Sequence, residues 1–237
     1  MHFQHSDEIW SDFPELVAGV LVATGITADA AVEPRLEPFN ERAAARLTAG
    51  TEADLPEIQA WRRTFARMGL KPTRYRCASE SLLRRFRKEG ALPSIHPLVD
   101  LCNAVSLAFA IPVAALDLAG VSGSLQVGYA TGDETYLTLS GEPEHPEAGE
   151  VIFADAAGHA HARRWSNRQS GRSAVRETTR DVLIVAEGMH ASAAEDVAGL
   201  TAALAAAIGE VWATPVRTAA LTRTEPRFEI ALRTGAG

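Results

Sequence analysis

Residues 163–181 read Arg163-Arg164-Trp165-Ser166-Asn167-Arg168-Gln169-Ser170-Gly171-Arg172-Ser173-Ala174-Val175-Arg176-Glu177-Thr178-Thr179-Arg180-Asp181. They run directly into the apolar stretch Val182-Leu183-Ile184-Val185-Ala186. The apolar stretch has the length and β-branched content of a strand. The tract before it sets six arginines against one glutamate up to Arg180, inside a chain of net charge −7. A strand edge presenting arginines, amides and hydroxyls suits an anionic or polar ligand, because guanidinium forks bind phosphate or carboxylate bidentately. A solvated basic turn would have the same composition.

Working upstream, short strands separated by turns fill residues 113–165: 114–118, 124–129, 135–139, 151–154 and 161–165. Gly132-Asp133 and Ala157-Gly158-His159 favour tight reversals. Before them lies a helical block. Residues 38–48 are good helix formers. Thr51 and Asp54 offer an N-terminal cap ahead of Ile58, Trp61, Phe65 and Met68 at helical spacing, with Gly69 as the stop. Ser79 caps the next helix, which ends at Gly90. His96 to Ala110 is a more apolar helix, stopped by Pro112. Residues 16–24 read as a buried strand. Downstream, 193–212 form an Ala-rich helix and Arg227 to Leu232 a last strand. Strand, helical block, β-rich block and helix together make an α/β sandwich with a mixed or largely antiparallel sheet and flanking helices.

The chain has 237 residues, 46% hydrophobic and 22% charged, enough to bury a sizeable core in one domain without long disorder. Cys77 and Cys102 lack metal-like spacing and fit a reducing cytosol. The N-terminus lacks the charged start of a secretory signal, and the apolar run 16–26 is too short for a bilayer. A cytoplasmic location without membrane association is therefore expected. Residues 60–90 hold ten Lys/Arg against Glu80 and Glu89. With the 163–180 tract they could form a nucleic-acid footprint on an otherwise acidic body, or be the wet faces of two helices.

No strong catalytic signature is present. His145, His159 and His161 fall on turns or edges without a defined ligand set, so no metal or other cofactor is expected. His96 reads as a helix N-terminal residue. Asp100, Asn103 and Ser106 share one face of the apolar helix 96–110. Asp100 reads as part of a satisfied buried network. Asn103 stays open between that and a pocket wall, and so does Asp117 in its apolar strand.

Ala91-Leu92-Pro93-Ser94-Ile95, Val99-Asp100-Leu101-Cys102-Asn103, Ile111-Pro112, Asp117 and Gly120, taken with Arg-Trp-x-x-Arg-Gln-Ser at 164–170 and Thr179, resemble the B3/B4 domain. That domain occurs in the β subunit of bacterial phenylalanyl-tRNA synthetase and as free-standing proteins, whose version of the 164–170 tract is the closer. The resemblance spans about 14–212. The whole of 1–237 is expected to be a single B3/B4-like domain with a C-terminal extension at 213–237, without the synthetase's aminoacylation machinery. In the synthetase the domain hydrolyses tyrosine misattached to the phenylalanine tRNA, as proofreading requires where a pocket cannot reject a near-isostere.

The resemblance has departures. Ala114 takes the place of a histidine before the shared Asp. Gln169-Ser170 stands where a Gly-Gly pair precedes the Ser-Ala-Val matched at 173–175. Val185 replaces an acidic residue, and Glu187, two positions on, would face the same side. The shell is kept and the lining changed.

The expected function is a free-standing, editing-like aminoacyl-tRNA deacylase that binds the aminoacylated 3′ end of a tRNA. The alternative is a non-catalytic tRNA- or amino-acid-binding module. The expected substrate-binding residues are Asn103, Asp117, Arg168, Gln169, Ser170 and Glu187, with Arg84, Arg85, Arg87 and Arg164 on tRNA. No catalytic residue is assigned, and a monomer is expected. Strand alternation keeps Arg168 and Gln169 from both pointing inward unless the segment is irregular; an irregular segment with Gln169 on the pocket is expected.

Overall fold

Val17–Ala23 and Val182–Gly188 carry a single polar side chain between them, Glu187, and they pair with each other along their whole length. A computed structural model describes residues 1–231 and forms both segments into strands buried on both faces. Alternation sorts their side chains. Val182, Ile184 and Ala186 join Leu21 and Ala23 in a core with two helices, and Leu183 and Val185 join Val20 and Val22 in a second core. Glu187 therefore falls on the face of Leu183 and Val185.

In chain order the elements begin with β1 (His2–His5), α1 (Asp7–Asp12), β2 (Val17–Ala23) and α2 (Glu33–Leu47). Three helices follow, α3 (Pro56–Arg67), α4 (Ala78–Glu89) and α5 (Pro97–Phe109). The strands β3 (Val113–Asp117), β4 (Leu125–Tyr129), β5 (Thr135–Leu137), β6 (Pro143–Glu144), β7 (Val151–Asp155), β8 (His159–Arg163), β9 (Arg168–Gln169) and β10 (Val182–Gly188) come next. The described chain closes with α6 (Ala193–Trp212), β11 (Val216–Leu221) and β12 (Arg227–Glu229).

Two sheets result. The larger is mixed, in the order β12-β1-β4-β7-β8-β5-β6, with β9 added to β8; β1–β4 and β5–β8 are its parallel pairs. The smaller, β11-β2-β10-β3, is antiparallel throughout. α5 and α6 cover its outer face. This is the mixed and antiparallel α/β arrangement, with flanking helices, expected from the residues.

Most elements fall where the apolar pattern puts them, and the differences have local causes. α2 starts at Glu33, not at 38, because Pro34 in the first turn is pre-set for a helix and Pro38 removes only one hydrogen-bond donor. α4 is capped at Cys77, and Ser79 lies inside it, buried against the Cys77 thiol. His96 caps α5 as expected, its Nδ1 accepting from the Leu98 N–H. β1, α1 and β11 are short or half-exposed, and their sequences carry too little apolar periodicity to announce them. The final strand spans 227–229; residues 232–237, the end of the expected C-terminal extension, lie outside the described residues.

The joint between β9 and the larger sheet leaves no room for a side chain at Gly171, where a Cβ would sit 2.5 Å from the Thr138 carbonyl oxygen. Gly171→Ala must push backbone apart. Chemical denaturation should show a loss of about 1–3 kcal/mol, as for other overpacked sites; an unchanged midpoint would mean that the joint is loose.

Candidate functional site

Strand β3 is an edge of the smaller sheet, and the short strand β9, added to β8 of the larger sheet, lies across from it. The cleft between them is the candidate site. Gln169 spans it, donating from Nε2 to the Ala115 carbonyl at 2.6 Å. This bridge separates two compartments. The first holds about 490 Å³ of space, mouth included, over Ala114, Val185, Trp165, Ser166, Arg168 and Glu187. The second holds about 890 Å³ over Val99, Asn103, Val113, Ala115, Val175 and Arg176. Gln169 and Val113 belong to both. Ile95 and Leu139, 67% and 72% exposed, flank the second and give it an apolar rim.

Among the described residues Glu187 is the one carboxylate lining the cleft, and it is 3% exposed. A charge so buried must be hydrogen-bonded. Its Oε1 sits 2.7 Å from His5 Nε2 and accepts from Trp165 Nε1 at 2.9 Å. Its backbone carbonyl accepts from Trp61 Nε1 at 3.2 Å. Oε2 has no hydrogen-bond partner among the described residues. One oxygen is thus anchored and the other is free for a donor entering the cleft.

The anchor depends on an unusual turn. Arg164 and Trp165 both adopt left-handed backbone, φ 48° and 59°. Such conformations cost about 1–3 kcal/mol each in non-glycine residues and persist only where surroundings enforce them. Here the Trp165 N–H donates to the Val151 carbonyl at 2.7 Å and the Arg164 N–H to Glu150 Oε1 at 2.9 Å. The Trp165 ring packs edge-on against Phe13 and Trp61. The turn delivers an indole N–H to Glu187.

The expected site residues divide. Gln169, Arg168 and Glu187 line the first compartment, and Asn103 lines the second, its amide without a partner among the described residues. The segment is irregular: β9 is two residues long, between the left-handed turn and a 3-10 turn at Gly171–Ser173. Arg168 is not a free positive fork. It pairs with both oxygens of Glu144, at 2.9 and 3.1 Å, and lies over the Tyr136 ring. The structure places Ser170 and Asp117 outside the cleft. Ser170 is fully buried, donating to the Leu137 carbonyl and accepting from the Arg172 N–H. Asp117 accepts from the Ala119 N–H and the Thr179 hydroxyl, so it caps a turn.

The basic segments are also largely neutralised. Arg87 binds Glu52 at 2.8 Å, Arg84 approaches it at 3.8 Å, and Arg85 pairs with Glu89. Arg62 and Arg76 share Glu80, and Arg67 pairs with Glu15. Arg164 stacks on Tyr75 in a separate hollow beside Glu147 and Glu150. The electropositive footprint expected from local charge counts is therefore cut down by acidic partners brought from elsewhere in the chain.

His161 was not expected at a site, yet it lines the first compartment. Fully buried, it has Nδ1 2.8 Å from Ser173 Oγ and Nε2 3.2 Å from Asp155 Oδ2. Burial lowers its pKa, outweighing the upward pull of Asp155. Burial raises Asp155, but the backbone N–H groups of His159 and Ser122 and the two imidazoles outweigh it and hold the carboxyl well below its usual range. The His-x-His spacing at 159–161 was visible; the Ser and Asp partners that fix the ring were not.

Residues 60–201 match the family described as the B3/4 domain. The chain is 29% identical over 160 residues to the phenylalanine–tRNA ligase beta subunit of Shewanella oneidensis, covering 67% of this chain and 19% of that one. It is 31% identical over 172 residues to that of Yersinia pestis, covering 70% and 21%. It thus spans about a fifth of the length of the curated relatives it matches. An N-terminal fragment of the phenylalanyl-tRNA synthetase beta-subunit from Pyrococcus horikoshii aligns with a TM-score of 0.49 at 10% identity, over 91% of this chain and 50% of that one.

A histidine with a lowered folded pKa binds its proton more readily when the chain is unfolded. Stability is then full above the unfolded value of about 6.5 and declines as pH falls through it. Equilibrium unfolding of the wild type should weaken from about pH 6.5 downwards, and His161→Gln should flatten that decline while lowering stability at pH 8. Parallel pH profiles would remove His161 as the titrating group.

Proposed function

The chain belongs to the B3/4 domain family, and from that premise we propose that it binds the aminoacylated 3′ end of a tRNA in the cleft and hydrolyses the ester of a mischarged amino acid. The observation that carries this is Glu187, a buried carboxylate with one oxygen tied to His5 and Trp165 and the other open to the first compartment. It can receive the α-ammonium of an amino acid as a charge-assisted hydrogen bond. An amide NH₂ has two donors. One N–H of Gln169 is spent on Ala115 and the second is left for the acyl carbonyl. Asn103 offers another donor from the second compartment. Such donors stabilise the oxyanion that forms when water attacks the acyl carbon. The ester bond then breaks and the ribose oxygen leaves with a proton, with help from the vicinal ribose hydroxyl.

The Gln169 bridge fills space between the compartments, which favours an amino acid smaller or more polar than tyrosine. Contacts to tRNA are assigned to the α3–α4 segment with Arg84, Arg85 and Arg87, and to Arg164. Because most of these charges are paired internally, the affinity is modest and salt-sensitive. We place the protein in the cytoplasm; no described helix is long and apolar enough to cross a membrane.

A second reading is a non-catalytic module that holds an aminoacyl end or a free amino acid. It is favoured by the commitment of His161 to Asp155 and Ser173, which leaves no free imidazole among the described residues that line the cleft.

A panel of aminoacyl-tRNAs separates the two. The proposal expects release above the spontaneous rate for at least one mischarged tRNA, with tyrosine on the phenylalanine tRNA not the best substrate. No release from any, with tRNA still bound, selects the second reading. Glu187→Gln should lower kcat/KM for the best substrate at least tenfold, about 1.4 kcal/mol of transition-state stabilisation.

Joining the compartments tests the bridge. Gln169→Gly should widen acceptance towards aromatic aminoacyl groups while the melting temperature changes little. Unchanged preference would place the acyl group away from Gln169.

A further inference from the structure

Behind the cleft floor, where α3, the turn after β10 and the first turn of α6 meet, lies a second polar cluster that the proposed reaction does not use. Glu57 and His190 are each 6% exposed, and Asp196 is partly open to solvent. Arg46 reaches Glu57 Oε1 at 2.6 Å, and its other nitrogen is committed to the Ala108 carbonyl at 3.1 Å. Glu57 Oε2 is buried without a partner. Asp196 Oδ2 accepts from Ser192 Oγ at 2.7 Å and lies 2.9 Å from His190 Nε2. His190 Nδ1 is buried without a partner.

The bonding pattern fixes what is missing. Asp196 as a carboxylate can only accept, so without an ion His190 Nε2 carries the hydrogen between them; an ion bound at Nε2 takes the place of that hydrogen, and Nδ1 then carries one. Glu57 Oε2, nine-tenths buried beside this pair, is an acceptor that faces no donor. Buried polar atoms left this way call for a bound water or ion. Charge separates those choices: two carboxylates stand against one guanidinium, so the cluster is negative in a largely dry setting. Among the described residues it is also the only group of three His, Cys, Asp or Glu whose donor atoms lie within 4.8 Å of one another.

We propose that Glu57, His190 and Asp196 hold a divalent first-row metal ion of the Zn²⁺ class, with a fourth position open to water. One imidazole and two carboxylates are a donor set such ions accept. Donors around a tetrahedral ion with bonds of about 2.0–2.2 Å stand roughly 3.3–3.6 Å apart, so the His190–Asp196 contact at 2.9 Å must open to admit the ion, and Asp196 is the most exposed of the three. Ser192 orients Asp196 from outside the ligand set. The ion would tie α3 to the β10–α6 turn and steady Trp61, one helical turn from Glu57, which holds the Glu187 backbone from the far side of the cleft.

The test uses the full chain after chelation and dialysis, titrated separately with Zn²⁺, Mn²⁺ and Mg²⁺, and read by calorimetry and thermal melting. The proposal expects one equivalent of Zn²⁺ with a rise in Tm, weaker binding of Mn²⁺, and no Tm shift with Mg²⁺. His190→Gln and Asp196→Asn should each weaken Zn²⁺ binding at least tenfold while circular dichroism stays native. If His190→Gln does not fold, Asp196→Asn decides alone, since that side chain is 28% exposed. The wild type failing to bind Zn²⁺, or binding that survives Asp196→Asn, would overturn the proposal and leave a bridging water as the occupant.

Discussion

A carboxylate buried between two sheets must find donors or unfold the region around it. Glu187 finds His5 on the larger sheet, and Trp165 on the turn that joins that sheet's β8 and β9. Around this contact are arranged the aromatic cluster of Phe3, Trp10, Phe13, Trp61 and Trp165, the two left-handed residues at 164 and 165, and the N-terminal strand itself. A hydrophobic residue at 187 would pack in the same space without requiring His5 or the strained turn. The polar residue selects one relative arrangement of the sheets, and that arrangement leaves the cleft.

The cleft is in turn a consequence of two unfinished edges. β3 ends the smaller sheet, and β9 is only two residues long, so the edges face each other without a continuous ladder. Among the described residues the hydrogen bond between β3 and β9 is a side chain's, Gln169 to the Ala115 carbonyl, where two longer strands would have zipped the gap shut. A gap closed by one amide is adjustable by one substitution. This is the sense in which a family shell can be kept while its ligand changes.

Much of the fold was legible because its central strands and its last helix are long and bounded by turn residues; β2, β10, α5 and α6 lie within about a residue or two of the apolar pattern. β1 and β11 escaped because each is short and pairs with sequence more than a hundred residues away. The face of Glu187 followed from alternation alone. The fate of Arg168 did not, because Glu144, its partner, lies 24 residues upstream on another strand. The same holds for Arg87 and Glu52, 35 residues apart. Local charge counts overstate a basic surface wherever the fold brings acids to it. Ser170 and Asp117 were polar residues in the right segments; each is held by a backbone N–H two residues on and by a distant partner, the Leu137 carbonyl and the Thr179 hydroxyl, that no reading of one strand could locate.

The account stands on the free oxygen of Glu187 meeting the amino group of an aminoacyl end. A structure of the protein with an aminoacyl-adenosine analogue, its ester replaced by an amide, measures this directly. The account requires the α-ammonium within about 2.7–3.0 Å of the Glu187 carboxylate, with the acyl group beside Gln169. An analogue bound with its ammonium in the second compartment, or anywhere else away from Glu187, would contradict it.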